Sequence, residues 1–452
     1  MRRASTRPTR VSLVHLGCAR NQVDSEVILG RLAEAGCVPC SDLDQAEVAV
    51  VNTCAFIGPA REESRAAIRG LLDRKKRGRL RAVVVAGCLA QRYGEALAAE
   101  FPEVDAVVPL SDYAEIAGLV RRVVAGRPGP RFAAAGGPKG ARSDRVRLLT
   151  TPPSYAYLRL SEGCDHACAF CAIPGMRGRM RSKPLETIAE EACDLTSLGV
   201  RELVLVAEDS TGYGRDLYGR PRLAEAIVAA AAAPGVAWVR VLYAYPNAFP
   251  WEVARTIREH PRVVEYLDIP IQHIADGVLR RMRRASSGAQ VRRILERLRA
   301  EVPGIALRTT LLLGFPGETE EEFEELLAFV RAFRFERLGA FVYSHEEGTS
   351  AFELPHDVPP ETAQRRCEAV LRAQGEIHAE RNRSLVGSEV EVLVDGQDAS
   401  GVWVGRTRAD APEVDGTVRL RGNGVRAGDL VRARVLGVEG EGYDLVGEVP
   451  AA

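Results

Sequence analysis

The sequence predicts an α/β protein in three parts: a doubly wound N-terminal domain, a partial (βα)6 barrel, and a small antiparallel β-barrel at the C-terminus. Three observations predict it. Short Val-rich runs alternate with helix-length stretches over 9–125. Six further alternations follow over 151–383. Over 384–452 the pattern changes to short alternating runs divided by Gly and Asp turns. Between the first two parts, 126–150 is rich in Gly, Pro and Arg, lacks periodicity, and reads as a linker.

At 452 residues the chain has ample length to bury a core. Lys plus Arg and Asp plus Glu both number 61, so no global field recruits nucleic acid or an anionic membrane. No apolar run approaches the roughly 20 residues a membrane span needs. The start, MRRASTRPTR, has basic residues with no apolar segment behind them, unlike a secretory signal. Without such a signal, the 10 cysteines read as metal ligands plus buried thiols rather than disulfides. A cytoplasmic protein is expected.

In the first part, apolar runs at 11–16, 48–51 and 82–86 end in Gly17-Cys18, Asn52-Thr53-Cys54 and Gly87-Cys88. Helical stretches at 24–35, 59–76 and 91–100 follow them. In a parallel sheet, ligands collect at the carboxyl ends of the strands, which is where Cys18, Cys54 and Cys88 fall. Chain order scatters these thiols; a fold of this kind can gather them. Gly17 and Gly87 allow close backbone approach. The alternative is three small buried hydrophobes. Cys37-Val38-Pro39-Cys40 has a metal or redox spacing, but no second pair faces it and it reads as structural. Cys193 and Cys367 lie inside helical patterns and read as buried core. The basic run 74–79 reads as a solvated helix end.

The second part has apolar runs at 155–160, 202–206, 236–243, 265–269, 305–313 and 338–343. Directly after the first comes Cys164-Asp165-His166-Ala167-Cys168-Ala169-Phe170-Cys171, a CxxxCxxC spacing. Three thiolates so close in sequence can hold three corners of a cubic iron–sulfur cluster and leave the fourth iron open to a small molecule. A zinc site would need a fourth ligand, for which His166 is the local candidate. Glu208-Asp209, Gln272-His273 and the turn 314–319 follow later runs, at the level where a cofactor would lie. The helix expected over 320–333 has an acidic first turn that suits its dipole, so those glutamates read as stability residues.

The tail has runs at 390–394, 402–406, 417–420, 430–435 and 444–447, and no cysteine or histidine, so it reads as a binding element. From Ser384 onward it holds 7 Arg and 12 Asp plus Glu, a net of −5, with Trp403 and Tyr443 as its aromatics. A basic barrel with exposed aromatics would favour RNA; this one is acidic.

CxxxCxxC is the signature of radical S-adenosylmethionine enzymes. Over nearly its full length the chain resembles the methylthiotransferases among them, in HLGCARNQVDSE, VNTCAFI, GCLAQRY, SEGCDHACAFCAIPGMRGRMRSKP, LYAYP, DIPIQHI, LRTTLLLGFPGET and DAPEVDG. The resemblance implies that Cys164, Cys168 and Cys171 hold a 4Fe-4S cluster that binds S-adenosylmethionine. It also implies that Cys18, Cys54 and Cys88 hold a second, auxiliary 4Fe-4S cluster that presents the sulfur, and that the tail is a TRAM domain. Phe170 matches an aromatic beside the adenine, and Glu208 and Gly314 are further cofactor candidates. Glu208 stands where the family has Gln. No catalytic residue beyond the cluster ligands is expected.

The implied substrate is the β-carbon of an aspartate in ribosomal protein S12, free or in the small ribosomal subunit, with a low-potential electron donor as a further partner. Nucleic acid would be met only indirectly, through the ribosome. Two other readings stay open: a sister activity on an adenine beside the tRNA anticodon, and a non-catalytic iron–sulfur module. Because S12 is expected to be basic, the acidic tail suggests that Asp410, Glu413 and Asp415 recruit it.

Overall fold

A computed structural model describes residues 7–127, 143–422 and 424–450. The chain divides into two compact units: Met1–Thr150 with Glu162–Asp165 and Cys171–Met180, and Thr151–Ser161 with His166–Phe170 and Arg181–Ala452. Among the described residues no helix is long and apolar enough to cross a membrane.

The first unit is built on five parallel strands, β1 (Arg10–His15), β2 (Val38–Pro39), β3 (Val48–Thr53), β4 (Ala82–Gly87) and β5 (Ala106–Val108), in the order β2-β1-β3-β4-β5. This doubly wound order reverses direction between β1 and β3, the switch point at which open sheets of this kind form their ligand crevice. Both faces of β3 and β4 are buried, which is why they read as unbroken Val-rich runs. β2 and β5 escaped the sequence reading because they are too short to show a period.

Three helices cross between these strands: α1 (Ala19–Glu34), α2 (Gly58–Lys76) and α3 (Cys88–Glu100). α4 (Ile116–Val124) follows β5. α1 begins ahead of the expected 24–35 because its first turn buries Asn21 and Gln22, which carry no apolar signal. The expected linker falls mostly on 128–142, outside the described residues. Its end, 143–150, is fastened to α1: Arg147 Nε donates to Glu26 Oε2 at 3.0 Å and Thr150 N to Glu26 Oε1 at 3.0 Å.

The second unit carries six parallel strands, β6 (Tyr155–Arg159), then, beyond the two-residue strands β7 (Ser161–Glu162) and β8 (Arg181–Ser182), β9 (Glu202–Val206), β10 (Trp238–Val241), β11 (Val263–Asp268), β12 (Ala306–Leu313) and β13 (Arg337–Val342). They pair in chain order from β6 to β13, as the open (βα)6 reading requires. The helix Glu320–Phe333 opens on a capping box between Thr319 and Glu322, so its acidic first turn is explained by helix termination alone. One expectation is corrected on the helix Leu185–Ser197. Cys193 is exposed, because that helix buries Ile188, Ala192 and Leu195 and turns position 193 outward. Cys367 is buried as expected.

The tail is a closed five-stranded barrel of β14 (Glu389–Gln397), β15 (Trp403–Thr407), β16 (Val418–Arg421), β17 (Leu430–Glu439) and β18 (Asp444–Glu448). It is antiparallel except between β16 and β18. A ring with an odd number of strands cannot alternate direction all the way round, so one parallel pair is unavoidable.

The loop between β15 and β16 decides how the barrel sits on the six-stranded sheet. Asp410 accepts from Arg337 Nε of β13 at 2.9 Å, and Asp415 accepts from the Tyr266 hydroxyl of β11 at 2.7 Å and lies 3.4 Å from Arg308 Nε of β12. Glu413 accepts from the hydroxyls of Tyr155 and Tyr157 on β6 at 2.7 and 3.1 Å. Beside the loop, Arg406 spans Glu202 of β9 at 2.6 Å and Asp395 at 2.7 Å. Asp410 and Asp415 are thus buried against the sheet near the amino ends of its strands, which corrects the reading of those two as recruiting residues; Glu413 also bonds to the sheet but stays exposed. Sequence charge counts carboxylates; it does not show which cations face them.

Candidate functional site

The carboxyl ends of β1, β3 and β4 bring Cys18, Cys54 and Cys88 together. Cys18 is the N-cap of α1, and Cys88 is the first residue of α3. Each thiol therefore meets a helix N-terminus, whose partial positive charge favours a thiolate. Proximity shows in two ways. A Cβ at Gly17 would lie 3.3 Å from Cys54 Sγ, and Cys18 and Cys54 each act electrostatically on Cys88. Gly17 and Gly87 have φ of +105° and +98°. What they make room for is protein: Cys54 at one position, and at the other the β3 backbone, which a Cβ on Gly87 would approach to 2.6 Å at Thr53 N.

Polar groups buried behind the thiols hold these loops. Asn52 Nδ2 donates to Asn21 O at 2.9 Å and to Ser25 Oγ at 2.8 Å; Ser64 Oγ accepts from Cys54 N at 3.1 Å and donates to Cys54 O at 2.9 Å. The sequence reading missed this layer. Its signal was Asn52 and Thr53, polar residues continuing an apolar strand.

Burial pushes the Cys88 thiol up to about 12 and also raises Cys54. At Cys18 burial acts in the same sense, but Arg20, Arg177 and the amides of the first helical turn outweigh it and hold the thiol below its ordinary value. Three thiols gathered at neighbouring strand ends, with a guanidinium beside Cys88, are a donor set suited to an iron–sulfur cluster. Among the described residues no group of His, Cys, Asp and Glu donors is arranged for a single metal ion. Cys37 and Cys40 stand apart. Cys37 packs in the hydrophobic core, and Cys40 N donates to Val11 O, level with the start of β1 rather than its carboxyl end.

Of the CxxxCxxC thiols, Cys164 and Cys171 lie in the first unit and Cys168 in the second. In the first, Gly163, with φ +77°, lies so close to the backbone of Gly178 and Arg179 that a Cβ could not fit. In the second, His166 Nε2 pairs with Asp209 Oδ2 at 2.8 Å, and its ring stacks on Tyr245 at 3.7 Å. Burial opposes ionisation of Asp209, but donors from His166, Thr211 and Gly212 outweigh it and lower the carboxyl. The guanidinium of Arg284 lies 4.1 Å from the Tyr245 ring centre and 3.7 Å from Cys168 Sγ. His166, the candidate fourth zinc ligand, is thus engaged by Asp209 and Tyr245.

The remaining candidates are dispersed over the carboxyl ends of the strands. Phe170 packs against a cluster containing Ala169, Phe315 and Tyr343. Glu208 and Asp209 follow β9. The Gly314 amide donates to Glu318 Oε2 at 2.9 Å, and a Cβ there would strike Ala363 of the helix Pro360–Ser384, so local packing already requires that glycine. Gln272 holds a φ of +69°, and His273 is fully buried with burial lowering it to about 3. Strained backbone of this kind collects at functional sites.

Models of three families match the chain: Uncharacterized protein family UPF0004 over residues 10–109, the Radical SAM superfamily over 158–330, and the TRAM domain over 386–449. Among solved structures, a radical S-adenosylmethionine methyltransferase, TsrM, from Kitasatospora setae is similar in fold. Its TM-score is 0.53 at 16% identity, over 74% of this chain and 75% of that one. The chain is 44% identical to the ribosomal protein uS12 methylthiotransferase RimO of Geobacter sulfurreducens, over 97% of this chain and 98% of that protein. It is 43% identical to the RimO protein of Myxococcus xanthus, over 98% and 92% of the two. The chain belongs to the RimO family of radical S-adenosylmethionine methylthiotransferases.

Proposed function

We propose that the protein methylthiolates the β-carbon of an aspartate in ribosomal protein uS12, in the cytoplasm, using two 4Fe-4S clusters. Cys164, Cys168 and Cys171 would hold the cluster that binds S-adenosylmethionine, and Cys18, Cys54 and Cys88 the auxiliary one. The observation that carries this reading is identity above 40% over 97% of the chain with a protein named for that activity, supported by a triad of thiols at the switch point of the first sheet.

A cluster with bound S-adenosylmethionine supplies reductive C–S cleavage and a radical able to take hydrogen from carbon. The chain's own work is orientation and exclusion of water. The His166–Asp209 pair and the Tyr245 and Arg284 stack hold the loop around Cys168. Phe170, in its apolar packing, offers a face for an adenine. Asn52, Ser25 and Ser64 fix the loops that carry Cys18 and Cys54. On the six-stranded sheet, the loop of the TRAM barrel meets the amino ends of the strands, and substrate would approach the carboxyl ends.

Mass spectrometry of uS12 peptides and of tRNA nucleosides from cells lacking this gene tests the reading. Loss of a methylthio group from the uS12 peptide alone is the expected result. Loss of methylthio-adenine from tRNA, with uS12 unchanged, would overturn it.

A further inference from the structure

The segment after the last CxxxCxxC cysteine belongs by sequence to the radical S-adenosylmethionine domain, but it folds into the first unit. Its one helical turn, α5 (Ile173–Arg177), is anchored by Ala172, Ile173 and Met176 in the same hydrophobic core as Cys88. Cys164 N donates to Gly178 O at 3.1 Å, so the backbone beside Arg177 is tied to the start of the cysteine loop.

Arg177, with a side chain only 3% exposed, ends this turn inside the thiol pocket. It donates to Asp24 Oδ2 at 2.7 Å, lies 3.6 Å from Cys88 Sγ, and has Glu162 at 3.9 Å. Its charge acts on all three thiols, Cys18, Cys54 and Cys88. Arg20 also acts on Cys18, from a half-buried position. One guanidinium thus stands beside two carboxylates, Asp24 and Glu162, and the Cys88 thiol.

We propose that Arg177 is the positioning residue of the auxiliary centre: it holds the Cys88 thiolate in place and, by its charge, sets the centre's reduction potential. The proposal rests on the reading that Cys18, Cys54 and Cys88 hold a cluster. Reduction adds an electron to an already anionic cluster, so a nearby cation favours the reduced form and a nearby carboxylate disfavours it. Asp24 therefore works against Arg177 on the potential while fixing its geometry.

The test uses the full chain, reconstituted anaerobically, with Cys164, Cys168 and Cys171 replaced by Ala so that one cluster remains. Its potential is followed by paramagnetic resonance at a series of fixed solution potentials. In Asp24→Asn/Arg177→Met, which removes both charges of the pair, the ratio of reduced to oxidised cluster at a fixed potential should fall about tenfold, a shift of about 59 mV for one electron. In Asp24→Asn alone it should rise. Arg177→Lys should stay near the parent.

Opposite signs in the two Asp24→Asn proteins cannot come from loosened packing, which would move both the same way. Loss of the cluster in the neutral pair, with retention in Arg177→Lys, supports the same role through affinity. Unchanged potentials, or shifts of one sign, would overturn the role of Arg177. A parent protein with no iron at all would overturn it too, and would remove the auxiliary-cluster reading with it.

Discussion

The thiol pocket of the first unit and the acidic loop of the terminal barrel began as equals: three spaced residues of one chemical type, each proposed to meet a partner. Tertiary structure separates them. Cys18, Cys54 and Cys88 converge at strand ends, with one buried guanidinium among them and polar groups fixing their loops. Asp410, Glu413 and Asp415 each meet a cation or hydroxyl from a different strand of the sheet below. The first group is the one proposed to hold a cluster; in the second, Asp410 and Asp415 are engaged in holding the fold. What separates them is donor supply. The carboxylates facing Arg337 and Tyr266 already accept from the protein, whereas the thiol triad has one buried guanidinium, at Cys88, beside it.

The comparison breaks most sharply if the thiols are removed. Replacing Cys18, Cys54 and Cys88 by Ala should lower the iron of the reconstituted protein by about half and abolish sulfur insertion, while uncoupled S-adenosylmethionine cleavage continues. Iron and sulfide analysis beside product assays reads both. Unchanged iron would return the triad to the status of buried hydrophobes.

For the acidic loop the expectation is a loss of stability rather than of chemistry. Asp410→Asn leaves Arg337 buried without its anion, which should cost about 3–5 kcal/mol in urea unfolding followed by tryptophan fluorescence. Iron content should hold. A variant as stable as the parent that instead binds uS12 more weakly would restore the recruiting role.

A buried group in neither region calibrates both. His273 is lowered from 6.5 to about 3 by burial, reinforced by Arg281 and Arg366. Its folded value lies below the unfolded one, so its contribution is present above pH 6.5 and is lost as pH falls toward 3, at about 1.4 kcal/mol per pH unit. His345 and His378 are also lowered and add to the slope, so the difference between parent and His273→Gln isolates this residue. The variant should show a flatter dependence of unfolding free energy between pH 6 and 4. Asp410, also lowered, acts further into acid, as pH falls below its ordinary value of 3.8. Equal slopes would mean that His273 is not neutral when folded.

The smallest effect is expected at the other close cysteine pair. Cys37→Ser with Cys40→Ser should leave iron and turnover near the parent, since one thiol is core and the other sits level with the start of β1. Loss of one cluster's iron would show that the thiol pocket had been drawn from the wrong residues.

Local chemistry was legible in the chain itself. CxxxCxxC announces a cluster loop because its ligands are neighbours in sequence, and the Val-rich runs announce a parallel sheet because strands buried on both faces leave no polar alternation. The closeness of Cys18, Cys54 and Cys88 was legible for a related reason: equivalent positions after successive strands become neighbours once the sheet order is doubly wound. Only the tertiary structure could decide the rest. Arg177 follows Cys171 in a stretch that reads as part of the barrel, and nothing in its spacing says that it folds into the first unit beside Cys88. The same holds for Asp410 and Arg337, far apart in sequence and bonded in space. A side chain's charge is written in the sequence, but its electrostatic work depends on distance and burial, and both are set by packing between elements that the sequence does not order.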